Sequence, residues 1–177
     1  MTNQTLNKKE WVMGIVLGII LPLAVYGVIK ISDAGNSSAG NGNPSGGAPK
    51  IMVEPMEFNA GDVSMAKGNY TTAFKIRNEG AGDLKISKII TSCMCTTARL
   101  KVDGRTSPAF GMPGHSSGAP FWQETVKAGG EGELELIFDP LAHGPEAIGP
   151  IERFIRITSN DSQNKDLDIK FSANVVK

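Results

Sequence analysis

From Ile51 onward the chain is written in short apolar–polar alternations broken by turn residues, and this pattern confines it to an all-β architecture. Successive side chains of a strand point to opposite faces, so a period of two marks a half-buried strand. Ile51–Glu54 reads as a first strand and ends at Pro55. Glu57–Val63 reads as a short edge piece. Tyr70–Arg77 sets Phe74 and Ile76 on the face opposite Lys75 and Arg77, and Leu84–Ile89 alternates again. Glu133–Phe138, Ile151–Thr158 and Leu167–Val175 complete the set, with Ile151, Phe154 or Ile155, and Ile157 as core residues of the sixth. Asn78–Asp83, Gly129–Gly132, Asp139-Pro140 and Ser159–Ser162 carry the turn chemistry between them. About seven strands at this spacing predict an immunoglobulin-like β-sandwich. The Gly-, Pro- and Ser-rich stretches 100–123 and 141–150 are long for hairpin loops, and long loops on a rigid scaffold tend to carry function.

The N-terminal part obeys different rules. No charged residue occurs from Trp11 to Ile29, a stretch long enough to cross a bilayer as a helix. Lys8 and Lys9 precede it and Lys30 follows, which favours residues 1–10 inside and the rest outside. The expectation is a transmembrane signal anchor at 11–31. A cleaved signal peptide is the rival, but its apolar region is shorter and ends at a small-residue site. Residues 32–50 offer almost no apolar side chain and read as a flexible Gly/Ser/Asn linker with a reach of ~25 Å. The exported domain is then 51–177, in the cell envelope.

Acidic and basic residues balance at 18 each, so nothing points to nucleic acid or another polyanion as partner. The membrane and another envelope protein are the partners to expect.

Both cysteines of the chain lie in one run, Ser92-Cys93-Met94-Cys95-Thr96-Thr97. In a regular strand Cys93 and Cys95 would project to the same face and Met94 to the other, as a packing residue. Their Cα atoms would then sit at the edge of disulfide reach. Three readings stand: buried or redox-active thiols, a soft-metal site, or a disulfide. For a metal the further ligands are few: His115 and His143, the two histidines of the chain, and Met112. Cys93, Cys95, Met112 and His115 would suit Cu(I); Cys93, Cys95, His115 and His143 would suit tetrahedral Zn. Asp139, Asn160 and Asp161 could hold calcium, but turn formation accounts for them as well.

The order of several segments is recognisable. Phe58–Val63, Phe74–Gly80, Leu84–Ile86, Ser92–Thr96, Phe138–Pro140 and Thr158–Asp161 together resemble the bacterial domain-of-unknown-function 1573 family, akin to the Hydin-type (ASH) domains. The resemblance implies an immunoglobulin-like sandwich outside a membrane and no enzymatic activity. The family pattern has glycine between the cysteines, where this chain has Met94.

The function classes that follow are a non-enzymatic binding or structural module, envelope metal handling, and a thiol-redox role. Phe110, Phe121 and Trp122 are the aromatic anchors expected if the module docks a protein partner; the equal alternative is that they fold back over the core.

Overall fold

The computed structural model describes residues 47–115, 119 and 121–177. The expected anchor at 11–31, and all but the last residues of the expected linker, lie outside them. Among the described residues no helix is long and apolar enough to cross a membrane.

Ten strands and one 3-10 turn at Met65–Lys67 make up the described chain. They are β1 (Ile51–Glu54), β2 (Glu57–Ser64), β3 (Tyr70–Asn78), β4 (Leu84–Thr91), β5 (Thr96–Val102), β6 (Arg105–Thr106), β7 (Glu124–Val126), β8 (Glu131–Phe138), β9 (Gly149–Ser159) and β10 (Asp166–Val176). They form two five-stranded sheets, β1-β3-β8-β5-β6 and β2-β10-β9-β4-β7. Ten strands replace the expected seven because Thr96–Val102 and two short pieces, β6 and β7, lie outside the seven segments whose alternation marks strands. Every pairing is antiparallel except β2 on β10, which is parallel.

The inner faces are those the alternation marks. Phe74 and Ile76 of β3, and Leu134, Leu136 and Phe138 of β8, are buried with Ile155, Ile157, Ile169 and Phe171 of the other sheet in one apolar cluster. Phe171 is its hub: the rings of Phe58, Tyr70 and Phe138 lie 6.4, 6.0 and 5.5 Å from it, centre to centre. On β9 the inward residue is Ile155; Phe154, read as its alternative, is exposed because the pleat turns it outward.

Two polar side chains fix the lead-in to β1. Buried Asp161 accepts the backbone N–H groups of Ile51, Gln163 and Asn164. Buried Asn78 donates to the carbonyls of Gly82 and Val126 and accepts from Lys50 and Gly80. The end of the stretch read as linker is held here too: Ala48 and Lys50 carbonyls accept from Ala81 and Glu79. Gly80 is required at this contact, since a methyl group on it would run into the backbone of residues 48–50.

Candidate metal centre

β4 belongs to one sheet and β5 to the other, so the chain must cross between sheets over Ser92–Cys95. That crossing is a tight turn, with the Thr96 amide donating to the Cys93 carbonyl at 3.2 Å. The cysteines therefore sit on a turn and not on a strand, contrary to the sequence expectation. The ladder breaks at Thr91, whose buried hydroxyl lies 2.8 Å from the Thr96 carbonyl and 3.0 Å from that of Cys93. Met94 projects outward at 48% exposure, which corrects its reading as a packing residue.

Both sheets hold this turn in place. Ser92 and Phe154 exchange two hydrogen bonds, tying it to β9. The Cys95 carbonyl accepts from the Asp139 amide at 2.8 Å, tying it to the end of β8. Asp139 then opens the β8–β9 loop by accepting the Leu141 amide on its carboxylate. A turn follows from Leu141 to Gly144, closed by the Gly144 amide on the Leu141 carbonyl. Gly144 sits at a φ of 89°, a conformation costly for any other residue. This turn carries His143 over the cysteines.

The donor atoms of Cys93, Cys95 and His143 all lie within 4.8 Å of one another. Cys93 Sγ is 3.1 Å from His143 Nε2 and accepts from the Cys95 amide at 3.4 Å. Both cysteines are free of any disulfide, Cys95 buried and Cys93 partly so. Arg153 of β9 donates its Nε–H to Cys95 Sγ at 3.1 Å. A cleft of about 270 Å³, lined by Phe138, Asp139, His143, Ile148, Ile151 and Arg153 among others, opens beside the group.

The thiols are not equivalent. Partial burial opposes ionisation of Cys93, but the Cys95 thiol, His143, the Cys95 amide and the charge of Arg153 outweigh it. Together they bring Cys93 from 9.0 down to about 7. Burial pushes Cys95 up, and the hydrogen bond it shares with Cys93 adds to this, with Arg153 and Thr96 acting the other way. The first proton therefore leaves near neutrality, and the anion is shared around Cys93 with Cys95 as its donor. A thiolate, a second thiol and an imidazole in one place form a soft donor set.

Of the predicted cysteine and histidine ligands, Cys93, Cys95 and His143 meet. His115 is not in the group; it is exposed, on the loop after β6, where its amide donates to the Met112 carbonyl. Met112 follows Gly111, whose carbonyl accepts from the Thr91 amide. Arg153 was missed by sequence reasoning, although its spacing from Ile155 and Ile157 puts it in phase with the inward face of β9. A charged residue at an inward position was the available signal. The calcium reading is replaced by the roles already described for Asp139 and Asp161; Asn160 accepts the Lys85 amide and donates to the Asp83 carbonyl.

The expected aromatic anchors divide. Phe110 is 5% exposed, because it bridges to Ala98 of β5 and packs its ring 4.7 Å from that of Trp122, so it belongs to the core and not to a docking surface. Trp122 is half-buried and Phe121 is fully exposed.

Residues 51–106, β1 to β6, match the model of the family described as a protein of unknown function, DUF1573. The match takes in Cys93 and Cys95 and ends before His143 and Arg153. Among solved structures, a protein of unknown function from Porphyromonas gingivalis W83 is similar at 25% identity with a TM-score of 0.53, over 71% of this chain and 46% of that one. This chain thus spans less than half of that protein. The ASH/PapD-like domain 7 of human CEP192 is also similar, at 11% identity and a TM-score of 0.43, over 73% of this chain and 87% of that one. No curated protein matches the sequence.

Proposed function

We propose that this is a non-enzymatic binding module, held outside the cytoplasm by an anchor at residues 11–31, and that what it binds is a soft metal ion, Cu(I) or Zn. The observation that carries the reading is the meeting of the Cys93, Cys95 and His143 donor atoms within 4.8 Å. Two of these donors come from one turn and the third from a loop 50 residues on. Both are pinned by backbone hydrogen bonds, so the site is assembled before any ligand arrives. Thiolate and imidazole ligands suit Cu(I) and Zn and not the hard cations. Release of the Cys93 proton near neutrality lowers the proton competition a metal must overcome.

The test is equilibrium titration of the reduced full-length chain, in detergent, with Zn(II) and with Cu(I) buffered by a chelator. One ion per chain is expected, lost in the Cys93→Ser/Cys95→Ser variant. Absence of binding to the wild-type chain overturns the reading.

A thiol-redox role is favoured by one feature, the partly exposed Cys93 with its lowered pKa. In that role the Cys93 thiolate would attack an external disulfide and expel one of its sulfurs as a thiolate, and Cys95 would then close the Cys93–Cys95 disulfide, so that two electrons and the one thiol proton pass to the external pair, which leaves as one thiol and one thiolate. Free-thiol counts before and after exposure to oxidised glutathione separate this from metal binding.

A further inference from the structure

Three arginines of the domain pair with carboxylates: Arg77 with Glu54, Arg105 with Glu124, Arg156 with Asp168. Arg153 does not. Among the described residues its guanidinium meets Cys95 Sγ through Nε and the Glu152 carbonyl through Nη1, and the charges acting on it are those of Cys95 and Cys93. The nearby carboxylates are otherwise engaged, Glu152 by Lys170 and Asp139 by the Leu141 amide. Arg153 is half-buried, at the sulfur end of the β9 inner face. Its charge is therefore committed to the two sulfurs.

That commitment fixes the charge of a loaded site. Two thiolates, a neutral imidazole and one guanidinium sum to −1. A monovalent cation brings the group to zero; a divalent cation leaves +1 in a partly buried place, where net charge is costly. We propose that Arg153 is the specificity-determining residue that makes this a site for a monovalent soft cation, Cu(I), over Zn(II). This rests on the reading that Cys93, Cys95 and His143 bind metal. The Arg153 N–H to sulfur contact places it outside the ligand set, as a partner that orients and neutralises a ligand.

The experiment compares Zn(II) with Ag(I), an air-stable monovalent soft probe, and with Cu(I), each in competition with a chelator of known affinity. The reduced full-length chain is used in detergent. Removing the guanidinium favours every cation, and the divalent one more. Arg153→Gln is therefore expected to lower the ratio of monovalent to Zn(II) affinity by at least ~10-fold, as the loss of one nearby unit charge implies. Arg153→Lys, which keeps the charge, is expected to hold the ratio close to wild type. Arg153→Met serves as a second neutral variant that keeps the apolar stem if Arg153→Gln fails to fold. A ratio unmoved in the neutral variants, with both metals still binding, overturns the role of Arg153 and leaves the metal site standing. A wild-type chain that binds neither metal overturns both.

Discussion

Cys93 Sγ lies 3.1 Å from His143 Nε2, although 50 residues separate the two in the chain. The contact joins the sheet-crossing turn to the β8–β9 loop, and the reactivity of the thiol depends on it. At pH 7 a thiol titrating near 7 is about half ionised, whereas one at the ordinary 9.0 is ionised to about 1%. The rate of alkylation of Cys93 by iodoacetamide in the metal-free chain should therefore rise with pH through a midpoint near 7 and level off above it. Rates followed by mass spectrometry across pH 5–10 check this; a midpoint near 9 would contradict it.

Replacing His143 by Ala removes one of the contacts that stabilise the anion. The Cys93 midpoint should move up, with roughly a fivefold loss of thiolate at pH 7 for the first unit of the move. Alkylation at pH 7 reads the change directly, and an unaltered rate would mean the imidazole does not act on the sulfur.

Cys95 should behave in the opposite way. It is buried and its thiol is raised, so it should stay unmodified in the folded chain while Cys93 reacts, and become reactive in denaturant. Peptide mapping after brief labelling distinguishes the two. Equal labelling of both would show that the turn opens readily.

Asp161 holds three backbone amides from a buried position, and its loss should destabilise the domain. Asp161→Ala is expected to cost about 2–4 kcal/mol in urea unfolding, as buried donors lose a charged acceptor. Burial opposes ionisation of this carboxyl, but the amides of Gln163, Ile51 and Asn164 outweigh it and lower its pKa below the ordinary 3.8. A group depressed on folding contributes its stability above the unfolded value and loses it as pH falls through the folded one. Stability should thus fall below about pH 4 in the wild type, and Asp161→Asn should flatten that fall.

Phe171 tests the core. Three aromatic rings pack around it and it is fully buried, so Phe171→Ala should cost about 3–5 kcal/mol in the same unfolding assay. A cost below ~1 kcal/mol would mean that the cluster closes over the cavity.

Local pattern and long-range assembly were legible to different degrees. The alternations Phe74/Ile76 and Leu134/Leu136/Phe138 mark the inner faces because a period of two is a property of the strand itself. The parallel pairing of β2 with β10 leaves no local mark, since it joins segments more than 100 residues apart. Phe110 was hidden by its neighbours: a Gly-, Pro- and Ser-rich stretch reads as surface loop, and the bridge to Ala98 and the Trp122 ring bury it. The cysteines were legible as a site by their spacing, but not the turn they occupy, because Ser92–Thr97 has the composition of a strand end. Nothing in the sequence could rank His143 above His115, as the choice depends on how the β8–β9 loop folds back. Arg153 was readable by phase alone.

X-ray absorption at the copper edge of the full-length chain, loaded with one equivalent of Cu(I), tests the central claim most directly. The account predicts a first shell of two sulfurs and one nitrogen, reduced to nitrogen or oxygen in Cys93→Ser/Cys95→Ser. A wild-type chain that retains no copper, or a shell without sulfur, would contradict it.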